Sequence, residues 1–107
     1  MDGHLPEIYR AFRERFPGIA EANDALGQAT RGAGPLDERT GRLIRLGIAI
    51  GARSEGAVKA SVRKALDQGI DPDELRHVAM LAVTTAGFPT AIAGLDWIEE
   101  VLASRTG

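Results

Sequence analysis

The sequence predicts an all-α fold, a bundle of five or six helices, from three observations. Apolar residues recur at spacings of three and four along most of the chain, which is the period of an amphipathic helix. Prolines, glycines and capping residues fall between these stretches, where they end one helix and begin the next. No stretch shows the alternation expected of a β-strand. A length of 107 residues fits one domain, residues 1–107.

The N-terminal third predicts two helices followed by a loop. The apolar face of the first helix consists of Leu5, Ile8, Phe12 and Phe16. Pro17 interrupts that helix, because proline has no backbone N–H to donate. A second helical stretch runs from Ile19 to Ala29. Residues 30–35 contain several glycines and no apolar stripe, so they are predicted to form a loop.

Asp37 is placed to cap the next helix, which is predicted to end at about Ile50. Residues 46–52 carry no polar side chain, which predicts that other helices enclose this end on several sides. Gly47 and Gly51 are expected to permit the close approach of another helix.

A further helix is predicted from Ser54, a good N-cap residue, to Gly69, a good stop residue. Its buried stripe is predicted to comprise Val58, Val62, Ala65 and Leu66.

Residues 71–74, Asp-Pro-Asp-Glu, predict a helix start with a reciprocal capping box. The helix that follows is almost entirely apolar, is predicted to be the central one, and ends at the Gly-Phe-Pro of residues 87–89. Thr84 and Thr85 could line a pocket there, although a hydrogen bond back to a helix carbonyl is the commoner fate. The inward residues of a last helix, about 90–104, are predicted to be Ile92, Leu95, Ile98, Val101 and Leu102.

Composition excludes several classes of function. A net charge of −2 gives no reason to expect nucleic-acid binding. No apolar run is long enough to span a bilayer, and the first residues do not resemble a secretion signal, so a cytoplasmic location is expected. The absence of cysteine excludes disulfides, thiolate metal sites and thiol catalysis. Two distant histidines make no metal site, and no cofactor motif is present.

Four features together are similar to the carboxymuconolactone decarboxylase family, which includes the alkylhydroperoxidase D-like proteins. They are Gly-Pro-Leu-Asp-Glu-Arg at residues 34–39, the helix of residues 54–69, the Asp-Pro-Asp-Glu start and the apolar helix ending in Gly-Phe-Pro. The resemblance covers about residues 34–101. It implies an alkylhydroperoxidase D-like fold and a homo-oligomer, most often a hexamer made as a trimer of dimers.

In the peroxidase branch, the resemblance implies Cys-x-x-Cys-x-x-x-His followed by alanine and glycine. Ala65 and Gly69 match those last two positions. The other functional positions fall on residues that cannot replace them: the two cysteines on Ser54 and Ala57, the histidine on Ser61, and the upstream glutamate near Gly47. Thiol peroxidase activity is therefore not expected.

The decarboxylase branch acts on a small carboxylated lactone, so the resemblance implies a lyase site with a cation and a proton carrier. The candidate catalytic residues are His77 and Ser61. The candidate carboxylate clamp is Arg39, Arg42 or Arg45.

Structural interpretations stand beside these roles. Ser54 could serve only as a helix cap, and Ser61 could be a small polar residue at a packing contact. His77 could be a structural or interface histidine. The arginines suit a solvated face or salt bridges between subunits.

Two hypotheses therefore remain open. The first is an enzyme that acts on a small organic acid or lactone by proton transfer. The second is a non-catalytic, oligomeric relative that binds a small molecule or serves as a scaffold, with Trp97 as a candidate interface anchor. The first hypothesis predicts that Ser61, His77 and Arg45 surround one cavity, and the second does not require it.

Overall fold

The computed structural model describes residues 7–106. Within that range the chain forms six α-helices and no strand, which confirms the predicted fold class. The helices belong to two compact units, one up to Pro35 and one from Leu36 onward. None of the helices in residues 7–106 has the length and hydropathy needed to cross a membrane.

The first unit contains α1 (Glu7–Arg15) and α2 (Pro17–Arg31). The predicted break is present, and Pro17 occupies the first turn of α2, where a missing N–H costs nothing. Arg13 connects the two helices through hydrogen bonds to both carboxylate oxygens of Asp24, at 3.1 and 2.5 Å. Leu5, predicted to belong to the first helix, lies outside the described residues.

The second unit contains α3 (Glu38–Gly51), α4 (Glu55–Asp67), α5 (Pro72–Thr85) and α6 (Phe88–Thr106). Its core is built from aliphatic residues of all four helices. The largest fully buried side chains are Leu46, Ile50, Val58, Val62, Leu75 and Ile98. The predicted stripe of α4 is confirmed at Val58, Val62 and Ala65, which are completely buried.

Two of the three predicted N-caps act as expected. The Asp37 side chain accepts the backbone N–H of Thr40 at 2.7 Å, which starts α3. Asp71 and Glu74 form the predicted capping box at the start of α5. Ser54 occupies the N-cap position of α4, but its hydroxyl makes no capping hydrogen bond, so that part of the prediction was wrong.

The helices α3 and α4 end in the same type of turn. At the end of α4, Gly69 has φ +82°, and the N–H of Ile70 reaches the carbonyl of Ala65 at 3.0 Å. This is the Schellman geometry that favours glycine. At the end of α3 the equivalent residue is Arg53, with φ 55°. A left-handed arginine is strained by about 1 kcal/mol, and its guanidinium donates to the Thr90 hydroxyl at 2.8 Å.

The close approach of two helices occurs at a different glycine from those predicted. A Cβ on Gly47 would lie an ordinary 3.6 Å from Val78, and one on Gly51 would meet nothing within 4 Å. A Cβ on Gly94, in α6, would lie 2.7 Å from the Cγ2 of Ile50 in α3. Gly94 is therefore the residue that lets α3 and α6 pack at this distance.

A single chain does not enclose its two nearly apolar helices, α3 and α5, on all sides. Ile48 in α3 is 66% exposed, and Leu81 in α5 is 60% exposed. Ile92, predicted to point inward, is 41% exposed, because α6 instead packs its small residues Ala91 and Gly94 against the core.

We expect Gly94→Ala to lower the free energy of unfolding by about 1–3 kcal/mol, because Ile50 is fully buried and has little room to move. The control is Gly47→Ala, which should be neutral or stabilising by up to about 1 kcal/mol through helix propensity. Urea denaturation of both variants measures the difference. Equal stability of the two variants would contradict the close approach at Gly94.

Candidate functional site

An open groove of about 720 Å³ lies between α3 and α5 on the second unit. Its walls are mostly aliphatic. From α3 they comprise Leu43, Ile44, Gly47 and Ile48, and from α5 they comprise Val78, Leu81 and Ala82. Three polar side chains of α5 complete the lining: Glu74, His77 and Thr85. A volume of this size fits a small organic ligand.

His77 is the groove residue with unused hydrogen-bonding capacity at both polar atoms. The side chain is exposed, and it makes no hydrogen bond or ion pair with another described residue. A neutral imidazole offers one donor and one acceptor. A molecule in the groove can therefore bond to His77 without displacing a protein partner.

Glu74 already has partners for both carboxylate oxygens. One oxygen accepts a hydrogen bond from Arg39, and the other accepts the backbone N–H of Asp71 at 3.2 Å. The Arg39 guanidinium, together with that N–H, holds the pKa of Glu74 below its usual value. The carboxylate is therefore ionised at neutral pH, and its charge is balanced by Arg39.

Thr85 and Thr84 differ in their surroundings although they are adjacent. Thr85 lines the groove and also donates its hydroxyl hydrogen to the Leu81 carbonyl at 3.0 Å. Thr85 therefore has both of the roles predicted as alternatives for these threonines: it lines a pocket, and it bonds back to a helix carbonyl. Thr84 is exposed and is not part of the groove lining.

The three candidate clamp arginines do not converge on one point. Arg39 pairs with Glu74 beside the groove. Arg45 pairs with Glu38 at 3.4 Å, and the buried Arg42 lies 3.9 Å from the same carboxylate oxygen. These are ion pairs within the unit. Of the three, Arg39 is the one held against a groove residue.

Ser61 lies in the core and not in the groove. Its hydroxyl oxygen is buried and has no hydrogen-bond partner. No general base is in contact with it, so the arrangement of a nucleophilic serine with an activating base is not present around this hydroxyl. The structure therefore separates Ser61 from His77, the other candidate catalytic residue.

The four positions that carry function in the peroxidase branch are also separated. Gly47 lines the groove, and a side chain at this position would have an ordinary contact with Val78. Ser54 and Ala57 are exposed at the start of α4, and Ser61 is buried. The described residues contain no group of three or more histidine, aspartate or glutamate side chains placed to hold a metal ion.

Sequence reasoning missed the aliphatic walls of the groove and the Arg39–Glu74 pair. Ile44, Ile48 and Leu81 were assigned to enclosed helix faces because their segments lack polar residues. Glu74 was assigned only to the capping box. Glu74 and His77 are three residues apart on a helix, so their side chains lie on one face. This spacing is the sequence feature that could have predicted the polar residues of the groove.

We expect Ser61→Ala to raise the free energy of unfolding by about 1 kcal/mol, because it removes a buried hydroxyl that lacks a partner. Ser54→Ala serves as the control, since its exposed hydroxyl makes no capping bond, and it should change stability by less than about 0.5 kcal/mol. Urea denaturation measures both. A marked loss of stability in Ser61→Ala would reveal a partner for the hydroxyl and would renew its candidacy as a functional group.

Comparison with known proteins places the chain in a family. The model of the carboxymuconolactone decarboxylase family matches residues 17–100. The crystal structure of an apo carboxymuconolactone decarboxylase family protein from Legionella pneumophila is similar, with a TM-score of 0.72 and 25% sequence identity, covering 87% of this chain and 86% of that one. No curated protein matches the sequence. With most of its length matched by the family model, and with the same helical fold, the chain belongs to the carboxymuconolactone decarboxylase family.

Proposed function

We propose that this protein is a cytoplasmic, oligomeric member of the family that binds a small organic molecule in the groove between α3 and α5 and lacks thiol peroxidase chemistry. The observation that carries the proposal is His77, an exposed imidazole without a protein partner on the wall of an aliphatic groove. Aliphatic walls supply affinity by removing apolar surface from water, and a few polar groups fix orientation.

Binding is favoured over catalysis by the positions of the remaining candidates. Ser61 is buried away from the groove, and Arg42 and Arg45 pair with Glu38. A decarboxylation site needs a cation for the carboxylate and a group that moves a proton. One histidine, three residues from a Glu74 carboxylate that is already paired with Arg39, is a weaker basis for chemistry than for recognition.

Proton transfer on a small carboxylated lactone or organic acid is the second candidate function. It is favoured by one observation, the ion pair between Arg39 of α3 and Glu74 of α5, in which Glu74 lies on the same face of α5 as His77. The carboxylate of a substrate would compete with Glu74 for Arg39. The substrate carbon that carries this carboxylate would then lie near His77. In that reaction the C–C bond to the carboxylate would break, carbon dioxide would leave, and the imidazolium form of His77 would give its proton to the carbon and become neutral imidazole.

Filling the groove tests the binding proposal. Gly47→Leu adds a side chain to the groove wall where a Cβ has only an ordinary contact, so we expect folding to persist and ligand affinity to fall by at least about tenfold. Gly51→Leu, one turn further along α3 in open space, is the matched control. Ligand-detected NMR with a set of lactones and short organic acids, each with and without a carboxylate, measures binding.

The same set of lactones and short organic acids distinguishes the binding function from proton transfer. Release of carbon dioxide that is abolished by His77→Ala and by Gly47→Leu would favour proton transfer. Binding without turnover, lost in Gly47→Leu and kept in Gly51→Leu, supports the binding proposal. Equal binding by both glycine variants would place the ligand elsewhere.

Self-association is supported by apolar side chains outside the groove lining. Met80, Phe88 and Ile92, from α5 and α6, are 43%, 62% and 41% exposed. Large exposed apolar patches are unusual on monomers and mark interaction surfaces. A homo-oligomer, with the hexamer built as a trimer of dimers as the form implied by family resemblance, would cover them.

We expect the wild-type chain to sediment as an oligomer and Phe88→Ser to shift it toward smaller species, because that change removes an apolar contact from the interface. Leu36→Ser is the matched control, since Leu36 is 61% exposed but precedes the helices of its unit. Sedimentation velocity at several protein concentrations gives the answer. A wild-type monomer at all concentrations would exclude this proposal, and an equal effect of both substitutions would exclude α6 as the interface.

A further inference from the structure

The apolar stretch of the groove is bounded on α5 by two different hydrogen-bonding side chains, one at each end of the stretch, and Glu74 lies beyond the first of them. His77 and Thr85 both line the groove, and both belong to α5. With 1.5 Å of rise per residue, their backbones are separated by roughly 12 Å along the helix axis. A single ligand that contacts both must therefore be elongated.

The hydrogen-bonding capacity left at each end specifies the chemistry of the ligand. At one end, both ring nitrogens of His77 lack a partner among the described residues. At the other end, the Thr85 hydroxyl uses its hydrogen on the Leu81 carbonyl at 3.0 Å, which leaves its oxygen as an acceptor. A ligand that bonds to Thr85 must therefore donate the hydrogen bond, and one that bonds to His77 can donate or accept it.

The middle of the groove offers no polar group. Val78 and Leu81 lie between the two polar residues on α5, and Ile44 and Ile48 form the opposing wall on α3. Polar atoms placed against these side chains would lose hydration without gaining a partner. The middle of the ligand is therefore expected to be apolar.

The charge balance of the groove favours an uncharged ligand. Glu74 is the ionised carboxylate in the lining, and Arg39 already neutralises it. The described lining residues include no lysine or arginine. A carboxylate on the ligand would have to displace Glu74 from Arg39, or would lose hydration without gaining a counter-ion.

We propose that the natural ligand of this groove is an elongated, uncharged molecule with an apolar middle and a hydroxyl group at each end, one contacting His77 and the other donating to Thr85. This inference rests on the proposed binding function, and it adds the length, the charge and the polar ends of the molecule that binds.

A series of linear diols tests the inference on the full-length protein. Hexane-, octane-, decane- and dodecanediol, with hydroxyls at both ends, are titrated by calorimetry and by NMR of the His77 ring protons. We expect affinity to reach a maximum within the series and the ring signals to shift on binding. The dicarboxylic acid of the best length should bind at least about tenfold more weakly than the diol.

Two neighbouring threonines provide a matched pair of variants. Thr85→Val keeps the shape and removes the acceptor, so it should weaken binding of the best diol roughly threefold to tenfold. Thr84→Val changes an exposed residue outside the groove and should leave the affinity unchanged. Thermal unfolding of both variants verifies that they are folded.

The outcomes separate this inference from the binding function. Tighter binding of the dicarboxylate, affinity that rises steadily with length, or equal effects of the two threonine variants would overturn the inference. If lactones or short acids bind in a manner lost in Gly47→Leu while no diol binds, the ligand class is wrong and the groove remains a site. If neither set binds, the binding function itself fails.

Discussion

The crossing of α3 and α6 at Gly94 fixes the arrangement on which the rest of the second unit depends. Because position 94 carries no side chain, Ile50 on the inner face of α3 occupies the space that one would need, and the two helices pack closely there. Leu46, Ala49 and Ile50 are buried on that face, while Ile44 and Ile48 remain on the outside. Ile44 and Ile48, on the exposed side of α3, line the groove.

The site that results differs from the one its family resemblance implies. The residues that match the thiol and histidine positions lie on α4, where Ser54 and Ala57 are exposed and Ser61 is buried without a partner. The groove instead draws its polar groups from α5. A hydroxyl that is buried and unbonded is costly to keep for folding alone. The polar character of position 61 therefore has no explanation in the packing of this chain.

Most of the fold could be predicted from the sequence, because helix periodicity and capping are local signals. The Asp37 cap, the Asp71 capping box and the Gly69 stop were all found in this way. The groove could not be predicted, because the exposed side of an apolar helix depends on which neighbours it meets. Periodicity did not identify Ile48 and Leu81 as exposed, nor Gly94 as the residue at the crossing, since these depend on contacts distant in sequence. His77 was found as a candidate, yet its placement opposite aliphatic residues of α3 required the structure.

The turn between α3 and α4 has a further consequence for how the unit folds. Its left-handed position is occupied by Arg53, and the side chain reaches Thr90, 37 residues later in the chain. A glycine would form this turn without strain and without help from distant residues. With arginine, the turn gains a compensating contact only when α6 is in place. The α3–α4 hairpin is thereby coupled to the C-terminal helix, so the two should lose their structure together, and hydrogen exchange at the turn should report on the docking of α6.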